Sequence, residues 1–424
     1  MIRFILKGLL RDKQRSLLPV IVVSIGVFLT VFMTGWLTGV FKDMIDVNAD
    51  FTTGHVRVMT QAYAENETQL PNDLAILGAD SLTKELKTRY PEMEWVNRIR
   101  FGGLIDIPDT SGETRAQGQA VGISVDLLTP KTREPDRLNI TRSIVQGKMP
   151  ALPGEALISD DFARKFKVQV GDEMTLFGNT MNGSMMFSNF KVAGTVRFGM
   201  AMLDRGAVII DLADARTILD MQDASGEILG FSREGYYDDE QAARIKASFN
   251  ATFMNADDEF SPIMLRLRDQ NGLDEYLMLA DSMSFIMIFV FVMAMSIVLW
   301  NTGLLGGLRR YTEYGIRLAL GEEKSHIYRT TIIEAVLIGI MGSIVGTIVG
   351  LAFCGYLQTY GLDFGRVMDN SSMMMPQKFR AYITPRLFYI GFIPGTIAMV
   401  LGNALAGFAI YKRKTARLFK ELEV

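Results

Sequence analysis

The chain has 424 residues, 49% of them hydrophobic and 21% charged, with a mean hydropathy of +0.18 and a net charge of −3. A positive mean over this length points to membrane segments, and four uncharged runs supply them: Leu17–Phe41, Ser282–Leu308, Ala335–Leu362 and Leu387–Tyr411. Each exceeds the roughly 20 apolar residues a helix needs to cross a bilayer, which excludes an ordinary soluble enzyme.

The net charge conceals an asymmetry. Between Lys42 and Leu279 there are 25 Lys and Arg against 37 Asp and Glu, a net of −12, and the rest of the chain carries +9. A large acidic region of this kind is a poor partner for nucleic acid. The single cysteine, Cys354, lies in the third apolar run, so no intramolecular disulfide supports the fold.

In chain order, Ile2, Ile5, Leu6, Leu9 and Leu10 share one helical face, with Arg3, Lys7 and Arg11 opposite. Residues 1–16 therefore read as an amphipathic interfacial helix. The run that follows is longer than the apolar core of a cleaved signal and is expected to remain as a span. Basic residues dominate residues 1–16, 309–329 and 412–424, and the positive-inside rule places all three in the cytoplasm. Spans at 17–41, 282–308, 330–357 and 387–411 then leave residues 42–281 and the short loop 358–386 outside, with both termini inside.

The outer region mixes strands and helices, an α+β pattern expected to form two subdomains. His55–Met59 alternates in the strand manner, and Trp95–Ile107 and Thr114–Val125 flank a turn at Asp109–Gly112. Glu155–Ile158 reads as a strand and Asp160–Phe166 as a short helix. Asn182-Gly183 predicts a hairpin turn between Met174–Phe177 and Phe190–Val196. Ala207–Ile210 reads as a buried strand, Leu212–Met221 as a helix, and Asp238–Phe249 as an amphipathic helix. The fold class is thus a polytopic α-helical membrane protein of four spans with a large α+β domain outside.

Nothing in this outer region marks a catalytic centre. His55 is its only histidine, and no His-x-x-x-His or Glu-x-x-His ligand spacing occurs. The acidic clusters Asp238–Glu240 and Asp257–Glu259 read as a solvated helix start and a loop, so no metal is expected. Methionine is more informative. Met181, Met185 and Met186, with Phe187, surround the Asn182-Gly183 turn in a run, Phe177–Phe190, that carries no charge. Flexible thioethers suit surfaces that accept irregular apolar partners, although core packing is the blander explanation.

Two features mark the membrane part. Gly339, Gly342, Gly346 and Gly350 place small residues on one helical face, which lets helices approach closely in lipid. The cytoplasmic segment Arg309–Glu322 reads as a short helix stopping at Gly321, with Glu313 and Arg317 as an i,i+4 pair.

The string Thr312-Glu-Tyr-Gly-Ile-Arg-Leu-Ala-Leu-Gly321 resembles the R-E-I-G-I-L-R-A-L-G signature of ABC permeases related to FtsX, MacB and the lipoprotein-release subunits LolC and LolE. One residue, Ile316, separates Gly315 from Arg317 where that signature has two. Glu334 and the spaced glycines after it resemble the family's next helix, and Phe51–Val58 resembles the strand after the first span in Lol-type members. The resemblance implies a bacterial inner-membrane, multi-pass permease whose residues 42–281 form a periplasmic MacB-like domain. It implies that residues 309–329 are a coupling helix on which a dimeric cytoplasmic ABC ATPase docks, through Arg310, Glu313, Gly315, Ile316, Arg317, Leu320 and Gly321. The chain has no Gly-x-x-x-x-Gly-Lys-Ser/Thr loop, so it is expected to be a non-catalytic subunit without a cofactor of its own, ATP and Mg being held by the ATPase. The further implied partners are a second permease, identical or paralogous, membrane lipid, and a periplasmic carrier or adaptor. The expected function is lipoprotein release or extraction of amphiphiles, the alternatives being MacB-like export of peptides or drugs and FtsX-like signalling to cell-wall hydrolases.

Overall fold

The structure is a computed structural model, and it describes residues 13–109, 111–270, 272–309, 316–363 and 378–412. The chain divides into two units. One is helical, comprising Met1–Lys42, Tyr276–Leu362 and Phe379–Val424; the other comprises Asp43–Glu275 and Asp363–Lys378.

The helical unit is built on α1 (Lys13–Asn48), α2 (Leu273–Arg309), α3 (Lys324–Tyr360) and α4 (Phe392–Lys412). At 1.5 Å per residue, the 36 residues of α1 extend about 54 Å, well beyond an apolar core of about 30 Å. Among the described residues three helical stretches are long and apolar enough to cross a membrane: Leu17–Thr53, Lys324–Tyr360 and Leu387–Ala406. The expected second span lies within α2. Its described apolar stretch, Phe285–Asn301, is too short by itself to count as a fourth. The expected helix over residues 1–16 and the tail after residue 412 lie largely outside the described residues.

Small residues decide how these helices meet. A Cβ built on Gly342 would stand 2.7 Å from the Val23 side chain, and one on Gly350 2.8 Å from Val31. One on Gly346 would stand 2.5 Å from the Ser24 carbonyl oxygen, and one on Gly339 3.1 Å from that of Gly395. Gly342, Gly346 and Gly350 of α3 thus receive the β-branched Val23, Val27 and Val31 of α1, and Gly339 receives the backbone of α4. Ser24 donates across the seam to the Gly342 carbonyl at 3.2 Å. The hydroxyls of Thr30 and Thr34 donate back to carbonyls one turn earlier, 2.9 and 2.7 Å away, so they cost nothing in lipid.

The outer unit is built on a hydrogen-bonded sheet of ten strands, with a separate two-stranded sheet that pairs Ile76–Leu77 with Ala224–Ser225. Its strands are β1 (Val56–Thr60), β2 (Met93–Pro108), β3 (Thr114–Val125), β4 (Ile144–Gly147), β5 (Glu155–Ser159), β6 (Glu173–Asn179), β7 (Met185–Val196), β8 (Ala207–Asp211), β9 (Glu227–Ser232) and β10 (Pro262–Arg266). The order is β10-β1-β9-β2-β3-β8-β5-β7-β4, and β6 pairs with both β7 and β2. Strands β2, β3, β8, β5, β7 and β6 therefore close on themselves as a ring. The pairs β3–β8 and β5–β7 are parallel, and the other pairs in the ring are antiparallel. Ile105, Ile158, Met174, Leu176, Met186, Phe190 and Val208 are buried in the main cluster of the ring strands.

The open part of the sheet carries a second apolar cluster. The helices Ala79–Arg89 and Asp239–Phe253 contribute to it, the latter through Ala242, Ile245 and Phe249 at helical spacing. Strand β2 has 16 residues: its first part pairs with β9 and its last part with β6, so it belongs to both regions. The expected hairpin turns form. Asp109 accepts from the Ser111 and Glu113 N–H groups at 2.8 and 3.0 Å, and Gly183 takes the positive φ, +79°, that its turn requires. The acidic clusters have local work. Asp238 caps its helix by accepting from the Glu240 and Gln241 N–H groups, and Asp258 accepts from Phe260.

The seam predicts that Gly346→Leu, which drives a side chain into Ser24 and Val27, lowers the thermal midpoint of the detergent-purified chain. Overpacking of this kind costs about 1–3 kcal/mol. The control Gly355→Ala, whose Cβ would meet nothing closer than 3.7 Å, is expected to leave the midpoint unchanged.

Candidate functional site

The hairpin β6–β7 presents two faces, because successive strand residues point to opposite sides. Met186 is 4% exposed and lies in the ring's core, and Met181 packs partly against the same cluster. Met186 is therefore not available as a surface contact, which corrects the expectation for it, while Met181 is only partly buried. Met185 and Phe187, one residue to either side of Met186, are 82% and 75% exposed. Phe187 pairs across the hairpin with Phe177, and Phe177 pairs with Leu104 on β2. Paired residues share a face, so Leu104, Phe177 and Phe187 form a row across three neighbouring strands, with Met185 beside it. The turn is tied down by Asn182, which donates to Asp220 at 2.6 Å.

A second constellation was not visible in the sequence reading. Arg57 is fully buried on β1 and donates to both oxygens of Glu67, at 2.7 and 2.6 Å, with Glu227 3.5 Å away. Glu227 is itself buried and also accepts from Arg100. Arg98, 2% exposed, donates to Glu134 at 2.7 Å and to the carbonyl oxygen of Asp50. Arg137 completes the chain: it pairs with Glu134, donates to Glu94 at 2.8 Å, and stacks 3.9 Å over the Phe231 ring. Burial pushes the Glu134 and Glu67 carboxyls up, but their arginine partners outweigh it and hold both below the usual carboxylate range.

Asp50 belongs to a π-helical turn, Ala49–Thr53, that ends α1. The turn closes where the Gly54 N–H donates to the Ala49 carbonyl at 2.8 Å, with Gly54 at a φ of +60°. His55 follows at once. Its Nδ1 accepts from the Ser232 N–H at 3.0 Å, and its ring lies edge-on to Phe231 and Tyr237. The accepting nitrogen marks a neutral imidazole, and burial lowers its pKa to about 4.

In the segment expected to carry the coupling helix, Arg310, Glu313 and Gly315 lie outside the described residues. Ile316 and Leu320 are 58% and 83% exposed. Arg317 donates to both oxygens of Glu322, at 2.6 and 2.8 Å, a pairing the sequence reading did not foresee. Gly321 adopts a φ of +91°, and His326 also contacts Glu322, so this corner ahead of α3 is fixed by one carboxylate. Among the described residues no group of three or more His, Cys, Asp or Glu is placed to hold a metal.

Comparison with known proteins agrees with this architecture. Residues 16–261, more than half of the chain, match the MacB-like periplasmic core domain, and residues 285–415 match the FtsX-like permease C-terminal domain. The chain belongs to the MacB-like permease family. None of the curated proteins matches it. The periplasmic region of MacB from Actinobacillus actinomycetemcomitans is a solved structure similar over 53% of this chain and 94% of its own, at 8% identity and a TM-score of 0.34. Membership makes the chain an ABC permease of the inner membrane that works with a cytoplasmic ABC ATPase.

The buried histidine carries a pH prediction. Its folded pKa lies below the ordinary 6.5, so between about pH 6.5 and 4 the unfolded state binds more protons. Stability from this group is full above that range and falls with pH, by about 2 kcal/mol between pH 7 and 5. The thermal midpoint of the purified chain, measured relative to that of His55→Gln, is expected to fall as the pH drops from 7 to 5.

Proposed function

We propose that this chain is the permease subunit of a machine that extracts lipoproteins or other amphiphiles from the outer leaflet and hands them to a periplasmic carrier. The observation that carries this reading is the row Leu104–Phe177–Phe187 with Met185. Four apolar side chains on one outward face of a closed ring are costly to leave in water unless they meet an apolar partner. In this reading the chain has four spans, both its termini are cytoplasmic, and a second permease stands beside it. ATP is hydrolysed on a dimeric ATPase. The alternative is MacB-like export, favoured by the match of residues 16–261 to the MacB-like core domain.

The ATPase docks on residues 309–329. Ile316 and Leu320 supply affinity through burial, and the charges around them, Arg310 and Glu313 included, set orientation. Gly315 permits close backbone approach.

Two experiments test the two ends. Met185→Ser with Phe187→Ser is expected to abolish transfer of an amphiphilic substrate to its carrier while ATPase association and basal hydrolysis persist. Retained transfer sinks the hairpin assignment. Ile316→Asp with Leu320→Asp is expected to reduce co-purifying ATPase by about tenfold or more with the chain still membrane-inserted. These positions are cleaner than Arg317, whose reversal would also break the bond to Glu322. Undiminished co-purification refutes the docking site.

A further inference from the structure

Away from the hairpin face, the outer unit holds an open cleft of about 510 Å³ whose charged lining is Asp161, Arg164, Lys165, Arg197, Asp204 and Arg205. Four cations against two carboxylates is an unusual balance in a region whose net charge is −12. The cleft lies beyond the end of β7, a 12-residue strand whose other end starts the exposed hairpin face, so at about 3.3 Å per residue the two are separate surfaces.

The acids of the cleft are already engaged. Each oxygen of Asp204 accepts a backbone N–H, from Phe198 at 2.7 Å and from Gly199 at 2.9 Å. Asp161 pairs with Arg164. Asp160, which is buried, forms an ion pair with Arg164 at 3.1 Å and accepts from Arg197 at 3.1 Å and from the Thr195 hydroxyl at 3.0 Å. These bonds hold two guanidinium groups in place, so little side-chain freedom is lost when they meet an anion. Arg197 is itself largely buried, with 16% of its side chain exposed.

The other two cations are different. Among the described residues no acid pairs with Lys165 or Arg205. Lys165 lies only over its neighbour's ring, 5.0 Å from Phe166. Two fixed guanidiniums beside two uncommitted cations suit an oxyanion with several acceptor oxygens, and arginine and lysine are the side chains that phosphate recognition uses. The rim adds an apolar element, because Met202, next to Ala201, is 78% exposed.

We propose that this cleft binds a phosphate group, carried by a phospholipid headgroup or free in solution. The inference is independent of the hairpin reading, because it uses none of the same residues. The test uses the full chain in dodecyl maltoside, which contains no phosphate. One arm titrates inorganic phosphate, a second dihexanoyl phosphatidic acid, and a blank uses dioctanoyl glycerol, with binding read by calorimetry. Saturable binding of at least one phosphate probe is expected. Lys165→Glu with Arg205→Glu is expected to weaken it by about tenfold or more, since two charge-assisted contacts are reversed. Tighter binding of the lipid than of phosphate identifies the headgroup as the source, and equal affinity identifies free phosphate. Unchanged elution volume and thermal midpoint show that the variant is folded; if it is not, Lys165→Gln with Arg205→Gln takes its place. No saturable binding of either probe, or wild-type affinity in the folded variant, overturns the proposal.

Discussion

Two arginines without access to water, Arg57 and Arg98, set the terms for the part of the outer unit around them. A buried cation cannot stand alone, and breaking one partner of such a pair costs about 3–5 kcal/mol. The carboxylates that neutralise this pair come from remote places. Glu67 lies beyond β1, Glu134 beyond β3, and Glu227 opens β9. The fold must bring all three together, and in doing so it fixes which strands neighbour β1 and β2. The same requirement reaches the π-helical turn after α1, since Arg98 also holds the Asp50 carbonyl. Replacing such a network as a whole with apolar groups often leaves stability unchanged, whereas removing one partner strands a buried charge.

Local features of the fold were legible in the sequence because their causes are local. Asn182-Gly183 and Asp109–Gly112 are turn residues whose chemistry acts within a few positions, and both hairpins stand where expected. The helices Asp160–Phe166 and Asp239–Phe253 follow from a cap and from periodic apolar residues. The ring was not legible, because it closes through β2–β6 and β5–β7, pairings that no turn announces. The ion network was hidden for the same reason: Arg100 and Glu227 are 127 residues apart. At the candidate site, composition alone suggested four apolar residues around the turn. Strand alternation splits that set, keeping Met185 and Phe187 outside and sending Met186 into the core, while Phe177 and Leu104 join the face only through cross-strand register.

The membrane helices show the same division. Glycine spacing in α3 announced a close approach but not what approaches. The structure supplies Val23, Val27 and Val31 of α1, which recur at the same four-residue interval as Gly342, Gly346 and Gly350. Two regular rows, one without side chains and one β-branched, interlock along their length. The hydroxyls of Ser343 and Thr347, both buried beside this seam, make no hydrogen bond to another described group. The seam is thus held by shape more than by polar contact.

Closure of the strands into a ring has a consequence for how any client is recognised. Strands joined in a circuit have their lateral amide and carbonyl groups committed to one another, so no incoming peptide extends this sheet by main-chain pairing there. If the face of β2, β6 and β7 is the contact surface proposed above, recognition there rests on side-chain shape and oiliness, indifferent to the visitor's backbone direction. Under that proposal the surface would tolerate varied cargo, and its preferences could drift by exchange of outward residues while the inward ones continue to hold the ring.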